Sequence, residues 1–121
     1  RSPSRGLGDV YKRQSLISGS KIIGHEIDSE SGSSLIFLKN SAMLCCPETG
    51  RIHHYPKHLI HCFVDDNRSK PTSTDGVLLR AELFSISPKD EQLCWEYCCR
   101  SELEVPETQN KVSRWLSWLN K

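Results

Sequence analysis

Apolar positions along the chain come in short blocks separated by turn-forming residues, a spacing that predicts strands more than helices. Lys21, Ile22, Ile23, Gly24, His25, Glu26 and Ile27 form a block with a β-branched core, and Leu35, Ile36, Phe37 and Leu38 form a run of the buried type. Between them residues 28–34 are Asp, Ser, Glu and Gly, so the two blocks read as a hairpin. Ala42, Met43, Leu44, Cys45 and Cys46 continue as a strand. Pro47, Glu48, Thr49 and Gly50 set a turn, and Arg51, Ile52, His53, His54 and Tyr55 make the returning strand. Pro56 suits the first turn of a short helix, and residues 57–64 are compatible with that turn or with another strand. Residues 65–76, rich in Asp, Asn, Ser, Thr, Pro and Gly, read as an exposed loop.

The clearest hairpin joins residues 77–86 to residues 93–105 through the turn 87–92. In its second arm Leu93, Trp95, Tyr97 and Cys99 share a face that Leu103 and Val105 extend, while Cys94, Glu96, Cys98 and Arg100 share the other. Pro106 is expected to end that arm. Asn110 then caps a final helix in which Val112, Trp115, Leu116 and Leu119 fall at i, i+3, i+4 and i+7, with Trp118 beside the stripe and partly exposed. The predicted fold class is α+β, mainly antiparallel sheet built from hairpins, with a C-terminal amphipathic helix packed on one face.

At 121 residues the chain is expected to hold one small domain, and its 36% hydrophobic and 26% charged residues are those of a folding sequence. No apolar run approaches the ~20 residues that span a bilayer, so no membrane role is expected. Charge is uneven: Arg1, Arg5, Lys12 and Arg13 against Asp9 make the first fourteen residues net +3, leaving −2 on the rest of a chain of formal charge +1. With no basic stripe outside that leader, nucleic-acid binding is not expected. Residues 1–14 show neither period nor apolar h-region. They read as a disordered basic tail and resemble a translated sequencing-adaptor leader, which leaves residues 15–121 as a single, mostly-β domain, read as a fragment.

Six Cys and five His stand out in so short a chain. Adjacent pairs such as Cys45–Cys46 and Cys98–Cys99 suit a disulfide framework poorly, so reduced thiols are expected. In the plainer reading Cys45, Cys62, Cys94 and Cys99 are small buried hydrophobes. In the sharper one His54, His58 and His61, at i, i+4 and i+7, share a helical face if Pro56 starts a helix. Cys62, Cys94 or Cys98 then completes a zinc site. If the segment is a strand, His58 and His61 point to opposite faces and that site dissolves. No catalytic signature surrounds any Cys, and no phosphate loop, dinucleotide fingerprint or GxSxG occurs.

Leu35 to Leu44, then Gly50, Arg51, Ile52, His53, His54, Tyr55 and Pro56, then Leu78, Leu79, Arg80 and Leu83 together resemble an uncharacterised eukaryotic protein family of unknown function, whose human member is named only as a chromosome 8 open reading frame product. The likeness covers about half of the chain beyond the leader. His53 stands where the family has an aromatic residue, Tyr55 is inserted before Pro56, and the 65–76 loop replaces a Gly-rich linker. The resemblance implies no established activity, allows a mitochondrial association within an intracellular location, and implies that an N-terminal half precedes this piece. Taken together, the sequence points to a non-catalytic binding or scaffold module without a cofactor, with Arg51, His54 and Arg80 as ligand-binding candidates. A protein partner would use Trp118 and an exposed sheet edge. The alternative is a zinc-binding domain using His54, His58, His61 and Cys62.

Overall fold

The computed structural model describes residues 21–69 and 76–121, so the leader reading and residues 70–75 of the expected loop lie outside the described residues. The fold is α+β and mainly antiparallel sheet. Contacts divide the chain between His58 and Leu59 into two compact units. Among the described residues no helix is long and apolar enough to cross a membrane.

In the first unit β1 (Gly24–Ile27), β2 (Ser34–Phe37), β3 (Ser41–Cys46) and β4 (Arg51–Pro56) form a four-stranded antiparallel meander in chain order. The predicted turns close it. Asp28 accepts from the Glu30 amide at 3.0 Å and the Ser31 hydroxyl at 3.1 Å, so the chain reverses on local hydrogen bonds. At the second turn Gly50 has φ +67, where a side chain would be strained, and its amide donates to the Cys46 carbonyl at 2.9 Å. All four residues of β2 are buried, as its unbroken apolar run requires. Ile36, Leu38, Met43 and Cys45 form a core cluster against which Ile52 packs.

In the second unit β5 (Ile60–Asp66), β6 (Leu79–Ile86) and β7 (Glu91–Cys99) form a three-stranded meander, and helix α1 (Val105–Leu119) lies against all three strands. The undecided stretch after Pro56 resolves into a single 3-10 turn, Lys57–Leu59, followed directly by β5. Asp65 and Asp66 therefore belong to a strand, not to the expected loop. Leu79, Ala81 and Leu83 of β6 are buried beneath α1, with Trp95 and Cys99 beside them on β7.

Three local expectations change. The register of β7 shifts between Leu83 and Phe84, leaving Cys94 as an extra residue with no opposite number. Such a bulge reverses the alternation that precedes it. Trp95, Tyr97 and Cys99 keep the inner face, but Leu93 turns outward and is 46% exposed. The arm also ends sooner, at Cys99: Ser101 caps a 3-10 turn at Glu102–Glu104 by accepting from the Leu103 amide, and Leu103 is 91% exposed. Pro106 begins the helix instead of ending a strand, because a first-turn proline forfeits no helical hydrogen bond.

That earlier start rotates the helical face. Val105, Thr108, Trp115 and Trp118 are its buried residues, so Trp118, at 3% exposure, is a core residue, while Leu116 faces outward. The Trp115 ring stacks on Tyr97 with centroids 5.8 Å apart, and the Lys111 ammonium sits 4.0 Å from the centre of the Tyr97 ring. The Cys99 thiol is 2.9 Å from the Thr108 hydroxyl and fastens the first turns of the helix to the sheet.

Candidate functional site

The residues singled out by sequence fall on separate elements of the two units. Arg51 and His54 sit three positions apart on β4, so they face opposite sides of the sheet. Arg80 lies in the second unit on β6, directly across from Asp65 in the strand register and near enough to Glu82 to pull its carboxyl down. The helix that was to align His54, His58 and His61 does not form. His54 is on β4, His58 in the 3-10 turn and His61 on β5, where Cys62, as its chain neighbour, points the other way. Among the described residues no group of three or more His, Cys, Asp or Glu side chains is placed to hold a metal ion. Trp118, proposed as a partner contact, is buried under its own helix.

All six cysteines are free thiols. Burial pushes Cys45 up to about 11, with the adjacent Cys46 adding to it, and burial likewise pushes Cys94 up to about 11. Cys62 is raised by burial, and Cys98 by burial and then by hydrogen bonding to Glu96. Four thiols held in the neutral form are poor nucleophiles at neutral pH.

Another surface stands out. On the side of the second sheet away from α1, three rungs cross the strands: Asp65, Arg80 and Cys98; Phe63, Glu82 and Glu96; His61, Phe84 and Leu93. Phe63 and Phe84 meet edge to face with centroids 5.6 Å apart, and Phe63 remains 47% exposed. With Leu93 they form an apolar island on a sheet face whose other side is already occupied by the helix. Beside it, Glu82 and Glu96 stand directly opposite each other. Burial, then the hydrogen bond and the like charge of Glu96, push the Glu82 carboxyl up, and Arg80 pulls it partly back. Such a like-charged rung costs on the order of 0.2–1 kcal/mol in a sheet.

Sequence reasoning missed this face for identifiable reasons. The alternation of His61, Phe63 and Asp65 suits a strand, but Pro56 equally suits the first turn of a helix, so the pattern alone does not choose between them. Counting back from the turn in the register of Ser85 and Gln92 would place Glu82 opposite Trp95. The bulge moves it opposite Glu96. An open depression of about 340 Å³ lined by Asp66, Arg68, Ser69 and Glu102 is a weaker candidate. Its guanidinium is already committed to Asp66, with Nε at 2.9 Å and Nη2 at 2.7 Å from the two carboxylate oxygens.

Comparison of the chain with family models, curated proteins and solved structures gave no match.

Proposed function

We propose that the chain is a non-catalytic binding module whose contact surface is the outer face of the three-stranded sheet. The observation that carries this reading is the exposed island of Phe63, Phe84 and Leu93. Large apolar side chains grouped on a face that is not needed to cover the core are a common feature of recognition surfaces. Cys45 and Cys94, neutral at neutral pH through burial, are read as packing groups of the two units and not as nucleophiles. Arg51 and His54 face opposite sides of β4, so a ligand held by either one engages a different face of that sheet.

Selection from an unbiased peptide library tests the proposal, with the binding position of the selected peptides mapped by amide chemical shifts on the full chain. Shifts are expected to centre on Phe63, Phe84 and Leu93, and the Phe63→Ser/Leu93→Ser variant should lose those peptides. Peptides that map elsewhere, or that bind the double variant equally well, would refute it.

A further inference from the structure

Resting on that contact face, we infer that its partner is a basic, apolar-alternating peptide segment, with a Lys or Arg seated between Glu82 and Glu96 and its neighbours over Phe63, Phe84 and Leu93. The ionisable groups of the face set the sign. Asp65, Glu82 and Glu96 share the face with Arg80 and His61, so carboxylates outnumber the one Arg, and Glu82 and Glu96 form a rung of like charge next to the apolar island that Arg80 offsets only in part. The two carboxyls stand directly across the β6–β7 pair from each other. A cation entering between them replaces repulsion with charge-assisted hydrogen bonds, and water excluded by the phenyl rings strengthens those bonds.

The geometry of the occupant follows from the sheet. Rungs on one face are two residues apart along each strand, so an extended segment with every second residue facing the sheet presents side chains at matching intervals. A long basic side chain can lay its methylenes along Phe63 while its head reaches the carboxylates, and the exposed ring edges and faces add a cation–π component. Acidic segments, nucleic-acid backbones and anionic lipid surfaces are all disfavoured by the same rung. What the face offers is neither purely oily nor purely charged, and only a ligand carrying both features uses all of it.

The test uses the full chain and two synthetic peptides of equal length, one alternating Lys with Leu and the other alternating Glu with Leu, each followed by amide chemical shifts. The Lys peptide is expected to move Phe63, Glu82, Phe84, Leu93 and Glu96. Its affinity should fall about tenfold in Glu82→Gln/Glu96→Gln and weaken steadily with added salt on the unaltered chain. Equal binding of both peptides at this face would overturn the charge assignment while leaving the contact face standing. No shift at these residues with either peptide would overturn the inference and count against the face itself. Matching shifts produced by magnesium or calcium alone, with no further change on adding the Lys peptide, would overturn the peptide as the occupant.

Discussion

Glu82 illustrates how one side chain couples surface chemistry to stability. Its carboxyl is raised in the folded protein by burial and by Glu96, so folding favours its protonated form. A group raised in this way contributes most below its unfolded pKa and loses that contribution as pH climbs through the folded value. Glu82→Gln, fixed in the favourable neutral state, should therefore stabilise the protein at pH 7 by about 0.5 kcal/mol. The gain should shrink towards zero as the buffer is taken below the carboxylate range, a trend that urea midpoints measured across pH resolve. The buried thiols follow the same sign over a different window. Cys45 and Cys94 are raised from 9.0 to about 11, so their contribution is intact below pH 9 and is lost as pH rises towards 11. Alkylation at neutral pH, read by mass spectrometry, should be much slower at these two positions in the native protein than in urea.

At the scale of elements, the hairpins around residues 28–33, 47–50 and 87–90 were legible because turn residues and strand alternation both pointed to them. The end of β7 and the start of α1 were not. Pro106 suits a strand stop and the first turn of a helix equally, and Asn110, a good cap by type, lies inside the helix. The face of α1 was consequently misassigned at Trp118 and Leu116. The bulge at Cys94 was silent for a similar reason: nothing in an alternating sequence records an extra residue that turns Leu93 outward. Substitutions separate the two assignments. Trp115→Ala should cost about 3–5 kcal/mol in equilibrium unfolding, as expected for a buried tryptophan. Leu116→Ala and Leu93→Ser should each stay within about 0.5 kcal/mol of the parent; a loss of several kcal/mol from Leu93→Ser would restore the unbulged register. The contact face itself was legible only in part, since Phe63 and Glu82 needed the β5 and β7 registers before they became neighbours.

Among the described residues both sheets are meanders in which each strand pairs with its sequence neighbours within the sheet, so each can close without long-range crossovers. The His and Cys side chains that looked like a metal set are spread over a strand, a turn and a further strand. The melting temperature should accordingly be the same in chelator as in equimolar zinc, and a clear rise with zinc would reopen the metal reading. Cys98 and Cys99 are chain neighbours on opposite sides of β7, one half-buried on the open face and the other buried against Thr108. Consecutive sulfurs thus keep two clocks: a maleimide reaching position 98 records ordinary solvent contact, whereas reaction at 99 records detachment of the helix. The ratio of the two rates would time that opening from a single peptide fragment, with no introduced label.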